Sequence, residues 1–221
     1  MAEHKATTLV NAPVGQVYQL FSHFNDYPKF MSHIKEVTYT DSNTSHWVAD
    51  VVGHHEWNAV NDGWKENETI GWRSTDGLQN SGTVRFNASG PTTTTVEVSI
   101  SYDPPAGVLG DLGEALGAGA AFEHALQSDL DRFAEMVRQS PPGALDPTSS
   151  TYLFNPDSAA SKGTTTPAQD ATMTGDNTAR EEAVTAAERG YYEDEINNSD
   201  RTSASGASAE NSADTTERNA W

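Results

Sequence analysis

The five residues from His55 to Ala59 begin like the helix motif of zinc proteases. They read HEWNA, whereas His-Glu-x-x-His places two histidines four residues apart on one helical face, where they bind zinc. Ala59 stands where the second histidine is required. The flanking residues are rich in Val and Trp, which favours a strand, and neighbouring side chains such as His54 and His55 then point to opposite faces. We therefore expect no metal site here, and we expect His55 and Trp57 to share a face of a sheet.

Other side chains able to transfer protons are scattered along the chain. His55, Arg73, Tyr102 and Glu123 have this chemistry, but their spacing does not identify a nucleophile, a base and an orienting group. The catalytic residues are therefore left unknown, and the sequence favours a binding protein over an enzyme. Nothing in it indicates a nucleotide, haem or flavin cofactor, and the glycine-rich residues 107–122 lack the Gly-Lys-Ser/Thr of a phosphate loop.

Composition and charge exclude several classes of partner. The chain has 221 residues, with 32 acidic against 13 basic side chains and a net charge of −19, which argues against nucleic acid and anionic membranes. It has no cysteine, so disulfides, thiol nucleophiles and thiolate metal sites are excluded. A signal peptide or an apolar stretch long enough to span a bilayer is not recognisable. We expect a cytoplasmic protein without a transmembrane segment.

The composition changes near residues 139–150. All seven histidines precede this region, and the residues after it are mostly Ser, Thr, Ala, Asp and Glu. Such a composition buries too little apolar surface to offset the entropy of ordering. We predict a domain over 1–140 and an acidic, mostly disordered tail over 141–221, and we expect deletion of 145–221 to leave folding intact. The tail is either a solvated solubility segment, the favoured alternative, or a binding site for a protein partner.

The first 140 residues have a clear order of elements. A strand at 5–12 precedes an amphipathic helix over 13–24 with Pro13 in its first turn, and a tight turn at Pro28 leads into a second short helical piece. Every segment from Ile34 to Tyr102 alternates like a strand, which gives six more strands with hairpin-length connections. A long helix marked by apolar residues from Leu109 to Val137 follows. This order predicts an α+β domain whose antiparallel sheet curls around the last helix. His23 and His33 flank the Pro28 turn, where lone histidines are usually surface residues.

Three stretches of this domain are similar to a known family. They are NAPVGQVYQLFSHFNDYPKFMSHIKEVTYT at 11–40, EWNAVNDGWKENETIGWRSTDG at 56–77 and FEHALQSDLDRFAEMV at 122–137. The chain resembles the polyketide cyclase/dehydrase branch of the SRPBCC, or START-like, superfamily, close to the coenzyme Q-binding START-domain group. The resemblance covers residues 1 to about 140. It implies a helix-grip fold, in which a curved seven-stranded sheet and a long C-terminal helix enclose a hydrophobic cavity.

In such a fold one face of each strand lines the cavity, and alternation nominates its residues. The alternative is that these side chains interdigitate into a filled core. On the last helix the apolar stripe passes through Glu123, although a slight rotation would turn Glu123 to solvent and Phe122 inward. Small residues from Gly110 to Ala121 indicate either close packing or space for a ligand. The predicted cavity residues are Tyr39, Trp47, His55, Trp57, Trp72, Phe86, Ile100, Tyr102, Phe122 and Glu123.

Three functions stay open at this point. The first is binding of a hydrophobic or amphipathic small molecule, such as a lipid, a quinone or a polyketide-like aromatic. The second is a cyclase, dehydratase or aromatase that acts on such a ligand. The third is a protein-interaction or co-chaperone-like module.

Overall fold

A seven-stranded antiparallel sheet forms the body of the domain. The computed structural model describes residues 2–50, 53–103 and 112–174. The strands follow one another in the sheet as β1-β7-β6-β5-β4-β3-β2, which confirms the seven strands predicted from sequence. Register shifts occur in β2–β3, β4–β5 and β6–β7, and such irregularities bend a sheet. The strands are β1 (Ala2–Val10), β2 (Ile34–Tyr39), β3 (Thr44–Asp50), β4 (His54–Lys65), β5 (Thr69–Gly77), β6 (Asn80–Gly90) and β7 (Thr93–Tyr102).

Helices cover one face of this sheet. Helix α1 (Val14–Ser22) begins directly after Pro13, and a 3₁₀ helix (Phe24–Lys29) contains Pro28. Helix α2 (Leu112–Gln139) is the long helix predicted from the apolar stripe. Within the described residues, no helix combines the length and apolarity needed to cross a bilayer.

An aromatic cluster fixes α2 against the other helices. The ring of Phe133 in α2 lies 4.9 Å, between centroids, from both Phe21 of α1 and Phe30, which follows the 3₁₀ helix. All three rings are fully buried. Edge-on aromatic contacts of this kind add to the free energy of burial. The cluster therefore sets where α2 crosses the sheet.

Helix α2 also covers the edge strand β1. The Gln127 side chain accepts a hydrogen bond from the Thr7 backbone N–H at 3.1 Å and donates one to the Thr7 carbonyl at 2.9 Å. It thus replaces the neighbouring strand that β1 lacks, which protects the sheet edge.

The structure corrects the predicted start of the tail at residue 141. Residues 144–173, here called the strap, return to pack on α1 and the 3₁₀ helix, and they include α3 (Ala159–Lys162) and most of α4 (Pro167–Thr174). Residues 175–221 lie outside the described residues, so the remainder of the predicted tail stays a prediction. Composition misjudged the strap because only a few large apolar residues hold it. Its buried apolar residues are Ala144, Tyr152, Phe154, Ala159, Ala168 and Ala171.

Polar contacts hold the strap as well. The Ala159 N–H donates to Asp26 Oδ1 at 2.9 Å, and Gln169 Nε2 donates to the Ser22 carbonyl at 2.9 Å. Gln19 Nε2 donates to the Thr172 carbonyl at 2.9 Å. These bonds give the backbone of a polar segment partners that the domain supplies.

His23 lies beneath the strap, which contradicts the expectation of a surface histidine. It is fully buried, and its Nδ1 donates to the Gln19 carbonyl at 2.7 Å. That bond leaves Nε2 as the unprotonated nitrogen, and Nε2 has no partner among the described residues. Burial lowers the pKa of His23, although the Gln19 carbonyl and the charges of Asp26 and Asp170 oppose this. A protonated imidazole here would carry a buried N–H at Nε2, which has no acceptor among the described residues.

We predict that removal of the strap destabilises the domain, contrary to the sequence-based expectation. Termination after Gly143 exposes Phe30 and the 3₁₀ helix and removes the buried Tyr152 and Phe154, each worth roughly 1.5–3 kcal/mol of burial. The melting temperature, measured by circular dichroism, should fall by several degrees. Termination after Thr174 is the matched control, because it removes none of the contacts described above. Equal melting temperatures for both truncations would contradict the docking of the strap.

We also predict that His23 makes stability fall in acid. Its pKa is lowered in the fold, so the unfolded state takes up more protons once the pH falls below about 6.5, the ordinary histidine value. The free energy of unfolding should therefore decrease as pH falls from 7 towards 5, by up to about 1.4 kcal/mol per pH unit from this group. Urea titrations of His23→Gln should show a smaller loss over the same range. An identical pH profile for the variant and the parent would exclude His23 as the cause.

Candidate ligand cavity

A cavity lies between the sheet and α2, at the end of the sheet that α1 does not cover. Its volume is about 90 Å³ and its walls are almost wholly apolar. The cavity is lined by Met31, His33, Ile34, Trp47, Ala49, His55, Trp57, Trp72, Leu78, Asn80, Ile100, Tyr102, Phe122, Leu126 and Asp129.

Three tryptophans from adjacent strands form the main wall. Trp47 of β3 pairs directly with Trp57 of β4 in the strand register, and their rings stack at 5.7 Å. The ring of Trp72 of β5 stacks on Trp47 at 5.8 Å, although Trp72 pairs with Asn61 of β4 in the register. The register thus brings Trp47 and Trp57 together and ring stacking adds Trp72, which gives an aromatic wall suited to an aromatic or polycyclic guest.

A glycine on the neighbouring strand makes room for one of these rings. Gly82 of β6 pairs with Trp72, and a β-carbon on Gly82 would lie 2.1 Å from the Trp72 ring. Any larger residue at 82 would displace the indole. The glycine thus allows Trp72 to lie across its neighbour strand.

The indole N–H groups of these tryptophans differ in their hydrogen bonding. Trp47 Nε1 donates to Ser45 Oγ at 2.8 Å and Trp72 Nε1 donates to Asn80 Oδ1 at 3.0 Å. Trp57 Nε1 is buried yet has no partner among the described residues. Buried tryptophans usually satisfy this donor. The Trp57 N–H is therefore an unused donor in the cavity wall.

His55 adds a second polar group two residues away on the same face of β4. Its Nε2 is also buried and lacks a partner among the described residues, and both side chains line the cavity. A guest with one oxygen near this part of the wall would meet a donor from Trp57 and a nitrogen of His55. The apolar wall thus contains one small polar area.

A buried carboxylate lies at another side of the cavity. Asp129 of α2 is 3% exposed, and its Oδ2 accepts hydrogen bonds from the Ser32 N–H at 2.8 Å and the Ser32 hydroxyl at 3.0 Å. Its Oδ1 lies 3.0 Å from the Arg132 guanidinium. These partners compensate the burial of the charge. They also tie α2 to residues 31–34, three of which line the cavity.

The structure brings most of the predicted site residues together around one cavity. Seven of the ten predicted residues line the cavity, and that they contact a ligand stays a prediction. The predicted alternation failed to show how far along each strand the cavity extends. It missed Asp129, although this residue lies three positions after Leu126 on the same helical face. The seven are Trp47, His55, Trp57, Trp72, Ile100, Tyr102 and Phe122.

Phe86 and Tyr39 belong to the predicted set but lie elsewhere. Phe86 is buried against α1, with ring centroids 5.5 Å from Tyr18 and 5.6 Å from Phe21. Tyr39 lines a separate cleft of about 720 Å³ along β2. Helix α1 thus covers Phe86, whereas the 3₁₀ helix and the strap face Tyr39 across its cleft.

Glu123, one of the predicted cavity residues, does not line the cavity. Its side chain is 51% exposed, and its Oε1 lies 3.3 Å from Nδ1 of the buried His4. The stripe of α2 continues from Leu126 to Phe122 in a step of four residues, so Phe122 faces the cavity, as the alternative phase of the helix predicted. Gly119 packs closely on His4, since an added β-carbon would lie 3.2 Å from that ring. Ala120 and Ala121 are exposed, and the small residues from Gly110 to Ala118 lie outside the part whose side chains are described.

The cleft along β2 is larger than the cavity but less suited to an apolar guest. Its walls are mixed polar and charged. Its lysines already have acidic partners: Lys29 contacts Asp26 at 2.7 Å and Lys162 contacts Asp157 at 3.2 Å. We therefore take the smaller, apolar cavity as the candidate site.

The segment that resembled a zinc motif is a strand. His54 and Glu56 share the solvent face of β4, with His54 Nε2 3.3 Å from Glu56 Oε1, whereas His55 faces the cavity. Among the described residues, no group of three His, Asp or Glu side chains is placed to hold a metal ion.

Comparison with known proteins identifies the family. The family model for "Polyketide cyclase / dehydrase and lipid transport" matches residues 10–125, which include α1 and all strands except most of β1. The chain belongs to this family. A curated relative from Streptomyces lincolnensis, an uncharacterized 17.2 kDa protein, is 25% identical over 141 residues, 63% of this chain and 91% of the relative.

Solved structures share the fold of this family member. TTHA0849 from Thermus thermophilus is similar with a TM-score of 0.53 and 21% identity, over 62% of this chain and 97% of that one. The Zhui aromatase/cyclase from Streptomyces sp. R1128 is similar with a TM-score of 0.52 and 16% identity, over 63% of this chain and 96% of that one. A START superfamily protein from Mycobacterium smegmatis is similar with a TM-score of 0.50 and 16% identity, over 61% of this chain and 98% of that one. These similarities establish the START-like helix-grip fold expected from the sequence.

We predict unequal losses of stability for two matched substitutions in the tryptophan wall. Trp72→Phe leaves the buried Asn80 Oδ1 without its donor and should cost about 1–3 kcal/mol beyond the lost ring area. Trp57→Phe removes a donor that has no acceptor, so the loss of ring area should be partly or fully offset. Urea denaturation of both variants measures the difference. Equal destabilisation would show that the Trp57 N–H is satisfied in solution.

Proposed function

We propose that this protein binds a small hydrophobic or amphipathic molecule, with one oxygen acceptor, in the cavity between the tryptophan wall and α2. The observation that carries the proposal is the buried Trp57 N–H, which has no partner among the described residues, in an otherwise apolar wall. A buried donor without an acceptor costs about 1–3 kcal/mol, and a ligand oxygen would recover part of that cost. His55 Nε2, on the same face, supports the same position for the polar end of the ligand.

The chemistry of the wall supports an aromatic ligand. The stacked indoles offer a flat face, and Ile100, Leu78 and Leu126 offer apolar contacts around it. Pockets for drug-sized ligands have volumes of about 300–1,000 Å³, so the cavity of about 90 Å³ must widen to hold one. A lipid, a quinone and a polyketide-like aromatic all combine an apolar body with carbonyl or hydroxyl oxygens.

Cyclase activity is the second candidate, and the cavity offers one observation in its favour. His55, Tyr102 and Asp129 can exchange protons and line the same cavity. The Asp129 carboxylate is already occupied by Ser32 and Arg132. Binding therefore explains more of the geometry than catalysis does, because the unpaired groups lie in the wall itself.

The test of binding uses two guests of nearly equal shape. Acetophenone carries a carbonyl oxygen, whereas cumene has a methyl group in its place. Titration calorimetry should give a higher affinity for acetophenone, relative to cumene, in the parent protein than in Trp57→Phe, with a change in the ratio of about fivefold for one hydrogen bond. Trp47→Phe is the control, because the Trp47 N–H already donates to Ser45, and its ratio should match that of the parent.

A second variant establishes where the guests bind. Ala49 is fully buried and lines the cavity, so Ala49→Phe should fill it and abolish binding of both guests. Binding that survives Ala49→Phe, or an affinity ratio that Trp57→Phe does not change, would refute the proposed site.

A further inference from the structure

The small volume of the cavity raises the question of which wall can move. Most of the wall belongs to hydrogen-bonded strands or to α2, which the aromatic cluster holds in place. Residues 31–33 are different, because they connect the 3₁₀ helix to β2, and Met31 and His33 line the cavity. This connection, here called the cavity loop, ends before Ile34, which pairs with Ala49 of β3, so it can move without breaking a β-ladder.

The cavity loop is held by single hydrogen bonds, among them that of the Met31 N–H to the Tyr27 carbonyl at 2.8 Å and that of Lys35 Nζ to the Ser32 carbonyl at 3.2 Å. The Ser32 N–H and hydroxyl donate to Asp129 Oδ2. The Asp50 N–H donates to the His33 carbonyl at 2.9 Å, and His33 Nδ1 donates to the Asp50 carbonyl at 2.8 Å. Met31 is buried, His33 is half-buried and Ser32 is exposed, so opening of the loop costs the burial of one side chain and these hydrogen bonds, but no β-ladder.

The strap holds the residues that directly precede this loop. The ring of Phe154 stacks on Phe30 at 6.0 Å, with 15° between the planes, and Phe30 is the residue before Met31. The Lys29 ammonium lies 5.9 Å from the centroid of the Phe154 ring.

Two hydrogen bonds extend this contact along the 3₁₀ helix. Asp26 Oδ1 accepts from the Ala159 N–H at 2.9 Å, and Asn25 Nδ2 donates to the Thr164 carbonyl at 2.9 Å. The strap thus clamps residues 25–30 from the side opposite α2. Outward movement of Phe30 would break the stack with Phe154.

We infer that the strap is a gate: while it is docked it holds the cavity loop inward and the cavity small, and its release lets the loop move out and admits the ligand. This inference rests on the proposed function, since a gate has meaning only for a cavity that is filled. The contacts of the strap with residues 25–30 must break for the loop to open, and the same contacts keep the cavity small when no ligand is bound. A state with the strap released would therefore bind more tightly and more quickly.

The experiment measures entry of cumene into the full-length protein. Phe154→Ala removes the stack on Phe30 and should raise both the association rate and the affinity by about tenfold, if gating contributes 1.4 kcal/mol. A purely structural role for Phe154 would lower the melting temperature without a faster association. Gln169→Ala is the second variant, because it loosens the strap at α4 without opening a large hole, and it should change the rate in the same direction. Thr148→Ala is the control, since its hydroxyl bonds only to Asp146 within the strap, and it should leave the rate unchanged.

The hole left by Phe154 could itself bind cumene, so the double variant Ala49→Phe/Phe154→Ala must also be measured. Loss of binding in this double variant places the guest in the cavity and supports the gate. Retained binding would overturn the inference, as would unchanged or slower association in Phe154→Ala and Gln169→Ala. If the parent binds cumene and the strap variants bind it identically, the gate is wrong and the proposed function stands. If no variant binds either guest, the proposed function is wrong and the gate falls with it.

Discussion

The contact of Phe133 with Phe21 and Phe30 is the packing interaction on which the other features depend. It joins α2, α1 and the connection after the 3₁₀ helix at one place, and it fixes the height of α2 above the sheet. Aromatic rings fill the sheet end beneath α1, where Phe86 packs against Tyr18. At the other end Phe122 and Leu126 of α2 face the tryptophan wall without filling the space in front of it, so a cavity is left there. The position of the cavity therefore follows from the packing of large aromatic rings at the sheet end beneath α1.

The same packing links the strap to the cavity. Phe30 contacts Phe133 on one side and Phe154 on another, so the ring that orients α2 is also the ring that the strap holds. Asp129 reinforces this arrangement from α2, because it binds Ser32 in the cavity loop. Helix α2 and the strap thus both contact the short connection between the 3₁₀ helix and β2. That connection is where a small change in packing would alter the cavity most.

The sequence predicted the fold well because each element has a strong local pattern. The strands alternate, Pro13 starts α1, and the apolar stripe of α2 runs to Val137. The tryptophan wall was also predictable, since alternation alone assigns the inward face. The limits are physical: alternation does not show how far along a strand the cavity extends, so Phe86, which packs on α1, and Tyr39, which lines a separate cleft, were assigned to it. The helix phase at Glu123 was ambiguous because steps of three and four both fit, and only packing against His4 resolves it.

The strap was missed because its docking depends on tertiary contacts. Phe154 and Tyr152 stand in a polar, alanine-rich context, and bonds such as that of Gln169 to the Ser22 carbonyl have no local signature. Likewise, no pattern in the sequence distinguishes the Trp57 N–H from those of Trp47 and Trp72. The most direct test of the central claim is therefore a ¹⁵N–¹H spectrum of the tryptophan indoles during titration with acetophenone. The Trp57 indole proton should move downfield as it donates to the carbonyl, while cumene causes no such shift and the Trp47 and Trp72 protons keep their hydrogen-bonded positions. An unmoved Trp57 resonance at saturation would contradict the account.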